Sequence, residues 1–334
     1  MTNPSVAVIG CGRIGKMHAE LVARQVPDLD VHSVFDVYAP SAQAVADDLG
    51  VPMAASVEEI MASDADAVAI CSSTDTHVDL IVAGAEAGKA LFVEKPVSLD
   101  MAEVDRAAAA VDAAEVLVQI GFNRRFDPAH AAVAAAVADG SVGDVHLVKI
   151  TSRDPEPPPV EYVKVSGGIF RDMTIHDFDM ARFVTGSEIV EVYATGAVRV
   201  DPAIGEAGDL DTAVLVLTHA NGAITTIDNS RQAVYGYDQR VEVFGSAGMA
   251  ASENPREHTA ALHTAAGTRQ ETIPYFFLQR YIPSYLAEWA AFRAGLDSGT
   301  MPVTMADGRA PLVAGLAAVR SVAEGRPVRT EEIG

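Results

Sequence analysis

Residues 5–15 read SVAVIGCGRIG, an apolar run that leads directly into three closely spaced glycines. The run predicts a buried strand, and the glycines predict a tight turn that opens a helix. Gly10 permits the turn, Gly12 lets a pyrophosphate approach the backbone, and Gly15 lets the helix pack closely on the strand. The helix N-terminus offers free backbone N–H groups to the same anion. The residues predicted to hold a dinucleotide here are Gly10, Gly12, Arg13, Ile14 and Gly15.

Asp36 ends the second predicted strand, 21 residues after Gly15. An acidic side chain at this place accepts hydrogen bonds from the adenosine ribose hydroxyls. Its charge repels a 2′-phosphate, and residues 37–40 supply no arginine to bind one, so we expect NAD rather than NADP. The alternative is that Asp36 only caps the next helix.

The first third of the chain alternates apolar runs with helical periods. Strands are predicted at 5–10, 31–36, 67–71, 90–93 and 116–121, with helices at 14–25, 40–49, 57–63, 76–87 and 100–114 between them. Parallel strands need such long crossovers. Residues 1–121 are therefore predicted to form a doubly wound parallel sheet, a Rossmann domain that binds a dinucleotide.

Two further turns follow strands of this sheet, at the ends where open sheets bind ligands. After the strand at 67–71, we expect Ser73 and Thr74 to contact the dinucleotide, although capping of the next helix explains Thr74 or Asp75 almost as well. For His77, a cofactor contact and packing at the helix start are equally good interpretations.

The second of these turns is Glu94-Lys95-Pro96, after the strand at 90–93. Glu94 is predicted to contact the cofactor. Lys95 leaves a buried strand at the mouth of the crevice, which predicts a role there for its ammonium group; a surface lysine is the alternative.

The pattern changes after Gly121, and we predict a second domain over residues 122–334. Its predicted elements are a helix at 127–138, a strand at 145–153, a stiff proline-rich loop at 154–159, a helix at 168–184, antiparallel strands over 188–273 with a hairpin at 221–222, and helices at 279–297 and 306–323. A large, mostly antiparallel open sheet with one exposed apolar face predicts self-association.

Asp172 and His176 are four residues apart, so one predicted helix presents both on one face. Oxidation of an alcohol requires a base for the hydroxyl proton, and a histidine oriented by a carboxylate suits that role. Lys95 would stabilise the developing alkoxide. The alternatives are a structural pair on a solvated face, or a metal site completed by Asp179. We expect no metal.

Composition excludes several classes of function. Acidic residues outnumber basic ones 46 to 24, and a net charge of -22 disfavours nucleic acid and membrane surfaces as partners. No apolar stretch reaches the roughly 18–20 residues that cross a bilayer, and the N-terminus lacks the pattern of a signal peptide. With only two cysteines, Cys11 and Cys71, a reducing cytoplasmic compartment is expected.

These motifs together resemble the glucose–fructose oxidoreductase and inositol dehydrogenase family (Gfo/Idh/MocA) over nearly the whole chain. The segments at 10–15, 94–96 and 167–177 carry the resemblance, and those at 152–155 and 172–179 look most like the myo-inositol 2-dehydrogenases. The resemblance implies that Lys95, Asp172 and His176 are catalytic, with His176 as the base. It also implies a homotetramer joined through the second-domain sheet. The other residues implied at the substrate are Asn123, Arg125, Arg153, Asp154 and Tyr235, and Arg125 is expected at the cofactor too.

Two of these roles have structural alternatives: a surface ion pair for Arg125, and a sheet aromatic for Tyr235. The activity expected is the NAD-dependent oxidation of myo-inositol to its 2-keto product. The alternatives are a dehydrogenase for scyllo-inositol or for an aldopyranose, and a dinucleotide sensor without turnover. A sensor has no need of a proton acceptor such as His176.

Overall fold

The computed structural model describes residues 3–334. The chain forms two compact units: the first runs to Asn123 and also includes Ser284–Ala310, and the second comprises Arg124–Pro283 and Pro311–Gly334. The second domain predicted from the sequence, 122–334, also included residues 284–310. Residues 284–310 belong with the first unit because Trp289 and Phe292 are buried in the same hydrophobic cluster as Phe92.

The first unit contains a parallel sheet of five strands in the order β2-β1-β3-β4-β5. The strands are β1 (Ser5–Ile9), β2 (Asp30–Phe35), β3 (Ala67–Ile70), β4 (Ala90–Glu94) and β5 (Val118–Gly121). The helices are α1 (Arg13–Gln25), α2 (Ala39–Leu49), α3 (Val57–Ala62), α4 (Thr74–Glu86) and α5 (Met101–Ala114). The predicted Rossmann sheet is thus confirmed.

The central strand of this sheet, β3, shows why the alternation of strands and helices could be predicted from the sequence. All four residues of β3 are buried, as expected for a strand covered by helices on both faces. β3 therefore appears in the sequence as a short continuous apolar run, AVAI, whereas the edge strand β2, DVHSVF, includes polar residues.

The second unit is built on a sheet of seven strands in the order β11-β10-β6-β9-β8-β7-β14. Only β6 and β9 pair in parallel, and the other neighbours are antiparallel, so the predicted mostly antiparallel sheet is confirmed. The strands are β6 (Val145–Arg153), β7 (Ile189–Ala197), β8 (Thr212–His219), β9 (Ile224–Ser230), β10 (Asp238–Gly245), β11 (Met249–Ser252) and β14 (Val328–Arg329). A separate hairpin consists of β12 (Ala261–Thr264) and β13 (Gly267–Gln270).

A 3-10 turn (Asn123–Phe126) precedes the remaining helices. These are α6 (Pro128–Ala138), α7 (Val160–Ser166), α8 (Ile169–Asp172), α9 (Ile175–Thr185), α10 (Pro202–Glu206), α11 (Phe277–Ser298) and α12 (Met305–Glu324). Helix α7, which follows the proline-rich loop, was not predicted. Within residues 3–334, no helix is long and apolar enough to cross a membrane.

The prediction of one continuous helix at 168–184 was wrong, because the structure contains two helices there, α8 and α9. The carbonyl of Ile169 accepts hydrogen bonds from the backbone N–H groups of both Met173 and Thr174. This double acceptance breaks the regular i to i−4 ladder between Asp172 and His176. Their four-residue spacing therefore does not place them on one face of a continuous helix.

Candidate active site

The glycine-rich turn has the geometry that a phosphate site requires. Gly10 has a φ of +95°, and a Cβ there would lie 2.6 Å from backbone atoms of Cys71 and Ser72. A Cβ on Gly15 would lie 1.8 Å from the carbonyl oxygen of Gly10. A Cβ on Gly12 would meet nothing within 4 Å, and Gly12 caps α1 without a side-chain hydrogen bond. Open space beside uncapped helix amides fits a dinucleotide pyrophosphate.

Asp36 is held against this turn by the backbone. Its Oδ2 accepts the N–H of Cys11 at 2.6 Å, and its Oδ1 accepts the N–H of Tyr38 at 2.8 Å. The N-cap of α2 is Tyr38 rather than Asp36, so the geometry does not favour the capping alternative. An ionised carboxylate accepts at about four sites. Two therefore remain for ribose hydroxyls, and NAD fits this site.

Cys11, within the same turn, is buried. Burial raises the pKa of its thiol to about 12, and the charge of Asp36 adds to the effect. The thiol therefore stays protonated at neutral pH and is not available as a nucleophile.

The imidazole of His77 lies between two backbone carbonyl groups. Its Nδ1 is 2.9 Å from the oxygen of Pro96, and its Nε2 is 3.1 Å from the oxygen of Ser72. Burial lowers the pKa of His77, so the neutral ring donates through only one nitrogen. This arrangement favours the packing role. Ser73 and Thr74 begin α4 without a side-chain cap from Ser73, and their contact with a cofactor stays a prediction.

Glu94 ends β4, and Lys95 follows at the carboxyl end of the sheet. The Glu94 carboxylate accepts the backbone N–H of Lys95 at 3.1 Å and lies 2.8 Å from Nε2 of His18. Lys95 is half-buried. It belongs to the first unit, whereas Asp172 and His176 belong to the second. The convergence of these three side chains stays a prediction.

Asp172 is bound by two residues that sequence reasoning missed. Its Oδ1 accepts the hydroxyl hydrogen of Tyr162 at 2.8 Å, and its Oδ2 lies 2.9 Å from Nη1 of Arg231. Tyr162 belongs to α7 and Arg231 to the turn after β9. Neither residue falls in a motif, so no signal in the single sequence pointed to them.

Arg231 also faces two further carboxylates, those of Asp154 at 3.8 Å and Asp209 at 3.9 Å. Burial raises the pKa of Asp154 to about 6; the positive charge of Arg231 opposes this effect, and Asp172 adds to it. Two of the predicted substrate residues, Asp154 and Asp172, are thus brought together around one guanidinium that was not predicted.

His176 is half-buried in the first turn of α9. The two acidic residues that follow it in the sequence both form ion pairs with arginines. Asp177 pairs with Arg124 at 2.8 Å, and Asp179 accepts Nε and Nη2 of Arg125 at 2.9 and 2.6 Å. Because Arg125 binds both oxygens of Asp179, the geometry does not favour the metal alternative.

The ion-pair alternative for Arg125 is therefore present in the structure, but buried rather than on the surface. Its contacts with cofactor and substrate stay predictions. Asn123 is 3% exposed, and its carbonyl accepts the hydroxyl of Ser284 at 2.7 Å. Its side-chain Nδ2 has no hydrogen-bond partner among residues 3–334. A buried, unsatisfied donor fits a residue that completes its bonding with a ligand.

Arg153 and Tyr235, which were both predicted at the substrate, contact each other in the structure. Nη1 of Arg153 donates to the Tyr235 hydroxyl at 3.0 Å, while its Nε donates to Asp228 at 2.7 Å. The Tyr235 hydroxyl donates in turn to Asp238 at 2.7 Å. Tyr235 lies in the turn between β9 and β10, so it is not the sheet aromatic of the alternative interpretation.

Comparison with known families agrees with this architecture. Residues 5–122 match the oxidoreductase family with an NAD-binding Rossmann fold, and residues 130–251 match the GFO/IDH/MocA C-terminal domain. The chain belongs to the GFO/IDH/MocA family of oxidoreductases. The first unit is accordingly an NAD-binding Rossmann domain.

Two curated relatives match almost end to end. The myo-inositol 2-dehydrogenase of Thermotoga maritima is 48% identical, over 98% of this chain and 99% of the relative. The inositol 2-dehydrogenase of Rhizobium meliloti is 47% identical, over 96% of this chain and 97% of the relative.

Two solved structures bear on the fold and on the cofactor. A probable dehydrogenase from Thermotoga maritima superposes with a TM-score of 0.96, at 47% identity, over 99% of this chain and 100% of that one. A scyllo-inositol dehydrogenase from Lactobacillus casei, with bound NAD(H) and scyllo-inositol, gives a TM-score of 0.91 at 27% identity, over 98% of this chain and 99% of that one.

Proposed function

We propose that this protein is an NAD-dependent inositol 2-dehydrogenase that oxidises one secondary alcohol of myo-inositol to the 2-keto product. The observation that carries the proposal is the near end-to-end similarity, at 48% identity, to a myo-inositol 2-dehydrogenase. Lys95, Asp172 and His176 supply the groups that the reaction needs. A neutral polyol also suits a chain with a net charge of -22 better than an anionic substrate does.

His176 is proposed as the base that takes the proton of the reacting hydroxyl. The ammonium group of Lys95 stabilises the oxygen as negative charge develops on it. The cofactor, when bound, accepts the hydride from the same carbon. The hydroxyl oxygen loses the proton and the carbon that bears it loses the hydride. Together the two losses convert the alcohol to a ketone.

Asp172 is proposed to orient the substrate and the base. Tyr162 and Arg231 each bind one of its oxygens, at 2.8 and 2.9 Å, so its carboxylate plane is fixed before substrate enters. A preorganised polar group costs little free energy of reorganisation at the transition state, because it already has the required orientation.

We further propose that the protein is a homotetramer joined through the second-unit sheet. Ile224, Leu147, Phe244 and Met249 occupy paired positions on four neighbouring strands and are 40 to 58% exposed. Tyr193 and Val216 extend this apolar face across β7 and β8. An apolar sheet face of this extent supports self-association. A cytoplasmic location is also proposed, supported by two cysteines that are both free and buried.

A panel of inositols and aldoses, assayed for NADH formation, tests the activity. We expect myo-inositol to have the highest catalytic efficiency. A preference for scyllo-inositol or for an aldopyranose would replace the substrate and leave the reaction class intact. The absence of NADH formation with every member would contradict the proposed function.

His176→Ala is expected to lower turnover by roughly 10²–10⁴-fold while NAD binding persists, because general-base catalysis typically contributes that much. Lys95→Ala should also lower turnover. His263→Ala is a matched control, because His263 is exposed on the β12–β13 hairpin of the same unit as His176. Near-normal turnover and an unchanged pH profile in His176→Ala would mean that the base lies elsewhere.

A further inference from the structure

His18 forms a buried hydrogen bond that determines which of its nitrogens carries the proton. The indole Nε1 of Trp289 lies 2.8 Å from Nδ1 of His18, and both residues are fully buried in the first unit. An indole N–H only donates, so Nδ1 must be the acceptor. The ring proton of the neutral imidazole is therefore on Nε2.

This tautomer extends the chain of hydrogen bonds to the Lys95 turn. Nε2 of His18 lies 2.8 Å from Oε1 of Glu94 and donates to it. The other oxygen of Glu94 accepts the backbone N–H of Lys95 at 3.1 Å. A continuous chain of hydrogen bonds thus links Trp289, His18, Glu94 and the backbone N–H of Lys95, and its donors converge on the Glu94 carboxylate from both sides.

The surroundings leave this chain little freedom to rearrange. The ring of His18 meets Phe92, Tyr285 and Trp289 edge-on, with centroid distances of 5.1, 5.4 and 5.6 Å. The Glu94 carboxyl lies against the backbone of Gly121, where an added Cβ would come within 3.3 Å of its Cδ. A nitrogen of His18 or Trp289 that lost its partner would have no water to replace it, because both residues are fully buried.

We propose that His18 and Trp289 are positioning residues, which fix the Glu94 carboxylate and through it the turn that carries Lys95. This inference rests on the proposed function in one respect, the role of the Lys95 ammonium group at the reacting oxygen. An active-site group whose neighbours hold it by hydrogen bonds keeps the geometry that the reaction needs. If those neighbours are removed, the group is still present but less well placed, and turnover falls.

Three variants separate the hydrogen bonds from simple packing. Trp289→Phe removes the N–H and keeps an aromatic ring, and His18→Leu removes both imidazole nitrogens. His18→Gln retains a side-chain donor that reaches Glu94. The matched control is Phe292→Leu, because Phe292 is fully buried and packs edge-on against Trp289 at 5.4 Å without a hydrogen bond to the chain.

We expect Trp289→Phe and His18→Leu to lower kcat by about tenfold to a hundredfold, with little change in the dissociation constant for NAD. His18→Gln should restore most of the rate. Phe292→Leu should lower the melting temperature but leave kcat within about twofold of the parent. Equal losses of kcat in all four variants would assign His18 and Trp289 a merely structural role and overturn the proposal.

A second readout does not depend on turnover. The chain contains five lysines, so reductive ¹³C-methylation gives a spectrum in which Lys95→Arg identifies the Lys95 signal. That signal should move in Trp289→Phe and His18→Leu, return in His18→Gln, and stay unchanged in Phe292→Leu. If these shifts occur while the parent oxidises no polyol, the positioning role stands and the proposed function fails. A Lys95 signal that is unchanged in His18→Leu refutes the positioning role, whatever the activity.

Discussion

Replacing Asp36 with alanine is expected to weaken NAD far more than NADP. Backbone N–H groups occupy one acceptor site on each oxygen of this carboxylate, at 2.6 and 2.8 Å, which leaves about two acceptor sites for the ribose hydroxyls. Loss of a charge-assisted hydrogen bond to ribose costs about 1.5–3 kcal/mol. The dissociation constant for NAD should therefore rise by about tenfold to a hundredfold.

NADP should respond differently, because the substitution also removes the charge that repels its 2′-phosphate. Its dissociation constant is expected to stay the same or to fall. Alanine additionally leaves the N–H of Cys11 without its acceptor, so part of the free energy of unfolding should be lost, about 1–3 kcal/mol. Asp36→Asn keeps one acceptor oxygen and separates the loss of charge from this loss of stability.

Calorimetric titration with NAD and with NADP measures both constants for each variant. Asp47→Asn is the matched control, because it removes one acidic charge from the exposed face of α2 in the same unit. The reasoning is refuted if the parent enzyme uses NADP with the higher catalytic efficiency. It is equally refuted if Asp36→Ala weakens the two cofactors by the same factor.

Three other predictions concern metal, pH and a buried ion pair. Dialysis against a strong chelator should leave activity intact, whereas activity that vanishes and returns with zinc or manganese would show that Asp172 and His176 had been misassigned. Burial lowers the pKa of His130 from 6.5 to about 4, so the unfolded chain binds a proton that the fold excludes, and the contribution of His130 to the free energy of unfolding should fall by about 3 kcal/mol between pH 6.5 and pH 4. Urea titrations should show this slope flattened in His130→Gln, and an unchanged slope would assign it to other groups. Arg125→Met should cost about 3–5 kcal/mol in the same titrations, because it leaves the fully buried Asp179 carboxylate without its guanidinium; a cost below about 1 kcal/mol would contradict this.

The helix predicted at 168–184 shows what a periodic pattern alone can predict and what it cannot. Its apolar period was sufficient to place a helical region, and α8 and α9 both lie inside it or overlap its end. The break between them depends on Thr174, whose backbone N–H bonds to Ile169 and whose hydroxyl donates to Asn229 at 2.6 Å. Asn229 is a residue of β9, 55 positions later, and no local pattern contains that information.

The phosphate turn and the place of Asp36 were determined by the sequence itself, because both follow from local backbone geometry. A left-handed turn at Gly10 and an acid at the end of the next strand are short-range requirements, and they are visible within one βαβ unit. Only the tertiary structure decided which groups surround the chemistry. Asp172 meets Arg231 across 59 residues, and His18 meets Trp289 across 271. Arginine, tyrosine and tryptophan side chains have no spacing rule at such separations, since their partners are chosen by the packing of whole elements rather than by the chain beside them.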